Sequence, residues 1–307
     1  MKLQRGDWVG AISVTFLAVP QGIAYAMIAG LPPVAGLYAA CLPTIVGSLF
    51  RSSTHVVAGP TNALSLLVGA SIIGTTTSDP WSAALLLAAM IGVFQLLAGL
   101  LRLGSLVDYI SNPVVLGYIT GAGVLIAVGQ LPNLTGTSAD GGHLAGRLGS
   151  WMQGLDATNL GALALGVGVA IAIVAVRRLA PRIPAELSVI VAATALAAWA
   201  GLGVRRLGDL AAIPAGLPPL TLPPLDLDLA LTLAPAAVAG AVLSLVESSS
   251  VARNIAGRSG QHLDLDREFV GQGLANLAAA FTGGYPTSGS LSRSAVNEQS
   301  GTQTRLA

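Results

Sequence analysis

The sequence predicts an all-α integral membrane protein, threaded as inverted seven-span repeats with two half-helices meeting at the membrane midplane and the second repeat incomplete. Three observations carry that reading. Only 9% of the 307 residues are charged, against 53% hydrophobic, and the mean hydropathy is +0.74. A soluble surface normally needs about a quarter of residues charged. The charges are also clustered, leaving long stretches with none, and two pairs of short segments recur at nearly one offset. The same composition excludes other classes. A net charge of +1 offers no basic field for nucleic acid. The single cysteine, Cys41, permits neither an internal disulfide nor a zinc cluster. No metal or other cofactor is expected.

The spans follow from where charge is missing. Trp8 to Phe50 is charge-free, which at about 20 residues per crossing is two spans, turned at Gly30-Leu31-Pro32-Pro33. Spans are predicted near 8–29, 34–50, 56–77, 82–101, 109–131, 159–176, 187–204, 229–251, 269–283 and 285–300. Lys2, Arg5, Arg51, Arg102, Arg177, Arg178, Arg182, Arg253, Arg258 and Arg267 fall on one side, against Arg147, Arg205 and Arg206 on the other. The positive-inside rule then places the N-terminus in the cytoplasm of a multi-pass plasma-membrane protein. Residues 132–158 read as a flexible external connection, and the proline-rich 207–228 as a stiff external linker between two halves.

Tyr25–Gly30 resembles Ala252–Gly257, and Pro60–Ser65 resembles Pro286–Ser292, at offsets of 226 to 227 residues. An odd number of spans between copies inverts the second one. On that count the second repeat stops after its third span, and the chain reads as a fragment of a longer product. Each repeat also contains a break, at matching places. Ala58-Gly59-Pro60-Thr61-Asn62 and Gly283-Gly284-Tyr285-Pro286-Thr287 cannot start as helix, because proline lacks a donor and glycine tolerates other dihedrals. Extended backbone followed by helices from near Thr61 and Ser290 would aim two helix N-termini at each other, an anion site that needs no metal. The plainer alternative is that both segments merely kink ordinary spans.

Glu247 and Arg293 are the ionisable groups read as lying well within spans, and each costs about 2.5–3.5 kcal/mol at a helix centre unless a partner or a task offsets it. Arg293 adds a full positive charge beside one helix end. Glu247, in mid-span 8, suits proton coupling. A structural Glu247–Arg293 ion pair is the alternative. Gln21, after Pro20, and Tyr25, one turn on, can line the same cavity or serve ordinary packing.

Val19-Pro20-Gln21-Gly22-Ile23-Ala24-Tyr25-Ala26, Gly30-Leu31-Pro32-Pro33-Val34-Ala35-Gly36-Leu37-Tyr38, Ala58-Gly59-Pro60-Thr61, Gly283-Gly284-Tyr285-Pro286 and Ser290–Asn297 resemble the signature of the sulphate permease (SulP) anion transporters. The resemblance implies fourteen spans with a core domain moving against a gate domain, followed by a cytoplasmic STAS domain absent here. It implies core spans 1–4 and the first gate span in 1–131, the remaining gate spans of repeat one in 132–206, and core spans 8–10 in 229–307. Family binding positions fall on Gln21, Tyr25, Thr61, Asn62, Ala63, Ser290, Leu291, Ser292 and Arg293, and the coupling acid on Glu247. Sodium-coupled members carry a hydroxyl one turn after that acid; here Val251 stands there, which favours a proton over sodium.

The expected function is secondary active transport of a small inorganic anion of the sulphate, bicarbonate or chloride class across the lipid bilayer, by a homodimer when full length. The alternatives are a nucleobase permease of the same fold and an uncoupled anion channel. An enzyme is not expected, since no base–nucleophile pair can be named, and the fragment alone is expected to lack activity.

Overall fold

A computed structural model describes residues 4–73, 75, 79–105, 112–137, 144–180, 185–201 and 216–305. The helices are α1 (Arg5–Ile28), α2 (Pro33–Ala40), α3 (Leu42–Phe50), α4 (Asn62–Ile73), α5 (Pro80–Leu100), α6 (Asn112–Thr135), α7 (Leu144–Gln153), α8 (Leu160–Leu179), α9 (Ala185–Ala200), α10 (Leu227–Ser259), α11 (Leu265–Phe281) and α12 (Leu291–Gln299). Two short strands, β1 (Ala58–Gly59) and β2 (Ser288–Gly289), interrupt them. Every predicted span meets a helix or a strand–helix pair.

Local chemistry sets the ends. Asp79, Asn159, Asp226, Asp264 and Ser290 each accept a backbone N–H at the start of α5, α8, α10, α11 and α12, satisfying donors with no intrahelical partner. The turn after α1 needs Gly30. Its φ of 72° is left-handed, and Leu31 and Gly30 donate to the Ala26 and Met27 carbonyls at 2.9 and 3.1 Å, the 6→1 and 5→2 bonds of a glycine-terminated helix. Span 2 is split at Cys41 into α2 and α3, where Pro43 sits in the first turn of the second piece.

Two predicted features differ. Residues 132–158 are not simply a flexible connection, because α7 and a 3₁₀ turn at Leu155–Ala157 form within them. Trp151 donates its indole N–H to the Thr135 hydroxyl at 3.1 Å, which gives that helix an anchor. Span 8 is also longer than predicted. α10 continues past Val251 to Ser259 and ends at Gly260 (φ 69°), since nothing before that glycine breaks the helix. Residues 207–215 of the linker lie outside the described residues; 216–226 hold no helix or strand.

The chain divides into two compact units, residues 1–119 with 211–307, and residues 120–210. In the first, close helix approach depends on glycine. A Cβ on Gly36 of α2 would lie 1.9 Å from the Gly22 carbonyl oxygen of α1, and one on Gly273 of α11 would lie 2.6 Å from the Leu96 nitrogen of α5. Small residues let backbones touch where burying apolar surface gives little drive, as between helices in lipid. The core there comprises Ala26, Ala35, Val68, Ala84, Leu87, Ile91, Leu233, Ala237 and neighbours. In the second unit α8 pairs with α9, and none of the described α8 residues is buried although its mean hydropathy over the best window is 2.2.

The first unit also alternates its ends, as a chain threading a membrane must. At one end Asp7 accepts N–H groups of Gln303 and Thr304, both at 2.9 Å, and Arg305 and Gln261 donate to the Ser52 carbonyl. At the other, Trp81 donates to the Gly283 carbonyl at 3.0 Å, and Thr221 to that of Phe281 at 2.9 Å.

Gly273→Val is expected to force α5 and α11 apart at a cost of about 1–3 kcal/mol, the overpacking range. Thermal melting of the full-length protein in detergent checks this, and an unchanged midpoint would mean that the helices do not cross there.

Candidate functional site

The two broken spans meet. β1 and β2 pair antiparallel, Ala58 with Gly289 and Gly59 with Ser288, and Ser290 extends the contact by donating its N–H to the Val57 carbonyl at 3.0 Å. Antiparallel strands send the helices that follow them away in opposite directions. The starts of α4 and α12 therefore come together, each with first-turn N–H groups that no intrahelical carbonyl can accept.

Arg293, the third residue of α12, lies between them and is 1% exposed. Its Nη2 donates to the Pro60 carbonyl at 2.8 Å, and its Nη1 reaches the Gln21 amide oxygen at 3.5 Å. Its Nε is buried and has no hydrogen-bond partner. Gly59 makes room for the guanidinium. A Cβ there would stand 2.9 Å from Nη2, and its φ of 152° belongs to the region that glycine occupies.

The remaining predicted residues fall around this centre. Gln21 also directs its amide nitrogen at the Ser292 hydroxyl at 3.5 Å, and Ser292 lies 3.3 Å from the Ser290 hydroxyl. Ser290 caps α12 by accepting the Arg293 N–H. Asn62, Ser292 and Leu291 are exposed, while Thr61, Ala63 and Ser290 are buried. Tyr25 is half-buried and packs its ring on the apolar core. Glu247 accepts a hydrogen bond from the Thr61 hydroxyl at 3.0 Å, so an acid on α10 is tied to the start of α4. Ser288 also bonds Glu247, the hydrogen bonds of Arg293 go to Pro60 and Gln21, and the Glu247 and Arg293 charges act on each other through space, without the direct ion pair considered from sequence among the described residues.

Burial also reaches charges beyond the two read as lying well within spans. Asp7, Arg51 and Glu268 are each at most 1% exposed. Arg51 donates to Gln272, and Glu268 accepts the Ser53 N–H and the Ser52 hydroxyl. They sit at span ends, where charges were read as loop residues, but those ends are capped by neighbouring segments. A polar group behind the strands was missed altogether: Gln95, Gln272, Asn276 and Thr287 are all fully buried. The available signal was amides inside otherwise apolar spans.

With this geometry in place, comparison with known proteins is decisive on lineage. The profile of the sulfate permease family matches residues 5–307. The chain belongs to the sulfate permease family. A Mycobacterium tuberculosis protein described as "Probable sulfate transporter" is 33% identical over 306 residues, covering 98% of this chain and 54% of its own length. Human "Solute carrier family 26 member 6" is 32% identical over 336 residues, covering 98% of this chain and 43% of its own. Among solved structures, the transmembrane domain of a cyanobacterium bicarbonate transporter, BicA, superposes with a TM-score of 0.88 at 23% identity, covering 98% of this chain and 78% of that one. The murine anion transporter Slc26a9 in its inward-facing state gives 0.89 at 21%, covering 100% and 55%. At those identities the likeness concerns the fold, and it establishes the all-α inverted-repeat membrane architecture. The chain spans about half the length of the relatives it matches.

Gly59→Ala is expected to displace the Arg293 guanidinium and to cost about 1–3 kcal/mol of stability, the range for a side chain held in a glycine-only conformation. Gly257→Ala, with nothing within 4 Å of the added Cβ, should leave the melting midpoint in place. Equal midpoints for the two variants would contradict the crowding at Gly59.

Proposed function

We propose that the protein carrying this chain is a secondary transporter of small inorganic anions, which binds its anion where the starts of α4 and α12 meet. The single observation that carries this is Arg293: a buried guanidinium between two helix N-termini, with its Nε unpartnered. One full positive charge and two partial ones converge there, and a desolvated anion offers what that site lacks. The family consists of transporters, a relative is described as a probable sulfate transporter, a bicarbonate transporter shares the fold, and neither the site nor the lineage suggests an enzyme.

In this reading Arg293 supplies charge, and Gln21, Ser290 and Ser292 supply hydrogen bonds. Thr61, Asn62 and Ala63 present the start of α4, and Leu291 and Tyr25 bound the site with apolar surface. Glu247, linked to the site through Thr61, exchanges a proton as the coupling group; Val251, one turn on, adds no oxygen that sodium would want. Core spans 1–4, within 1–131, and core spans 8–10, in 229–307, move against the gate spans in an elevator-type cycle. The protein is a homodimer of the plasma membrane with its N-terminus in the cytoplasm.

The test is uptake of radiolabelled sulfate and bicarbonate by the full-length protein in proteoliposomes. Arg293→Ala should lower uptake at least about 100-fold, the loss expected when a charged hydrogen-bonding group is removed from a buried site. Arg293→Lys should recover only part, since an ammonium keeps the charge but lacks the planar fork that meets two acceptors in fixed geometry. Unchanged uptake in Arg293→Ala would end this assignment.

Glu247→Gln is expected to keep anion binding, measured by calorimetry, and to abolish the stimulation of uptake by an imposed proton gradient. Stimulation that persists would remove Glu247 from coupling.

A further inference from the structure

We infer that Asn276 and Gln272, two amides on α11, are positioning residues for the site: they serve as a third strand along the outer edge of β2 and thereby fix where α12 begins and where Arg293 lies. This rests on the anion-site reading above and adds what holds that site's geometry.

β2 pairs with β1 along one edge only. Along the other, the Thr287 N–H donates to Asn276 Oδ1 at 2.6 Å, and the Thr287 carbonyl accepts from Asn276 Nδ2 at 3.1 Å. One primary amide thus reproduces the donor–acceptor pair that a neighbouring strand would present. Gln272 Nε2 donates to the same carbonyl at 2.7 Å, joined by the Ser244 hydroxyl at 3.0 Å. Two residues on, the Gly289 N–H donates to Ser248 Oγ at 2.7 Å, and that hydroxyl donates to Gln272 Oε1 at 3.1 Å. Ser244, Gln272, Asn276 and Thr287 are fully buried and Ser248 is 2% exposed.

Each amide is oriented from behind. Asn276 Nδ2 also donates to Gln95 Oε1 at 2.7 Å, and Gln95 Nε2 in turn reaches the Ala241 carbonyl at 3.4 Å. Gln272 Oε1 receives Arg51 Nη2 as well as Ser248. The network therefore runs from α5 and α10 through α11 to β2. From Gly289 the chain passes in a single turn to Arg293, with Ser290 pinned at both its N–H and its side chain. No atom of Asn276 or Gln272 is placed here on the anion. Their effect is on the register of β2 against β1, and so on the distance between the guanidinium and the start of α4.

A merely structural role and a positioning role separate in kinetics. Initial rates of sulfate and bicarbonate uptake give KM and Vmax for the full-length protein in proteoliposomes, normalised to folded protein counted by size exclusion. Asn276→Leu, nearly isosteric but unable to meet the Thr287 N–H, should raise KM about tenfold or more, the scale of effect of small misplacements at a bound ligand. Asn276→Asp, which keeps the acceptor and loses the donor, should recover part of that loss. Ser248→Ala removes one hydroxyl and should raise KM severalfold, so the idea stays testable should Asn276→Leu fail to fold. Folded variants that keep the wild-type KM, with only yield reduced, would overturn the inference and leave the transport reading standing. A wild-type protein that takes up neither anion would overturn that reading, and this inference with it.

Discussion

Extended backbone inside an apolar interior is intolerable unless protein supplies its hydrogen-bond partners, and the meeting of β1 with β2 is where this chain satisfies that demand. The two strands contain only two residues each, yet the arrangement around them is large because each strand exposes two edges. One edge of each is met by the other strand. The outer edge of β2 is met by amides and hydroxyls from α10 and α11, and that of β1 by Thr44, whose hydroxyl donates to the Ala58 carbonyl at 2.8 Å. The glycine crossings of α5 with α11 and of α1 with α2 follow from the same demand. Side chains as short as Asn and Ser can reach a strand only if the helices carrying them come close.

Once the strands pair, the chemistry between them is constrained. Two helix starts face one another, and both are electropositive. Arg293 adds to that field rather than relieving it, which is why its placement argues for a ligand. A guanidinium sequestered for structural reasons is normally matched by a carboxylate. Here its bonded partners are a backbone carbonyl and a neutral amide, and the Glu247 carboxylate acts on it through space without forming a direct pair. Glu247 is held by Thr61 on the α4 side of the same centre.

Much of this is legible in sequence because membrane insertion makes composition informative. Charge-free stretches mark spans, Gly-Pro breaks mark non-helical backbone, and a lone arginine among serines marks a site. What stays hidden has two causes. Charges beside span ends, such as Arg51 and Glu268, look like loop residues, and only tertiary capping buries them. Gln95, Gln272 and Asn276 carry no charge and fall at separations of 181 and 177 residues from one side of the network to the other, so no local pattern joins them. The motifs and the helix starts also recur at different spacings. Motifs matched at 226 to 227, whereas the helix starts Asn62 and Leu291 are 229 apart, because Pro60-Thr61 follows its strand and Pro286-Thr287 precedes its own.

The spacing of the helix starts bears on how charge is divided between the two repeats. It equates Thr61 with Ser290, both hydroxyl residues preceding a helix, and Leu64 with Arg293. The two hydroxyls have different partners. Ser290 caps its own helix, while Thr61 turns its proton to Glu247. Leu64 is fully buried in the core. A second arginine at Leu64 would bring another positive charge to the same pair of helix starts, and like charges repel more strongly in a dry interior than in water. A single guanidinium avoids that repulsion and can be shared by both helix starts. The fold is thus nearly symmetric in backbone, and the charge is not. On the transport reading, an anion there would meet one repeat through a side chain and the other chiefly through its backbone dipole.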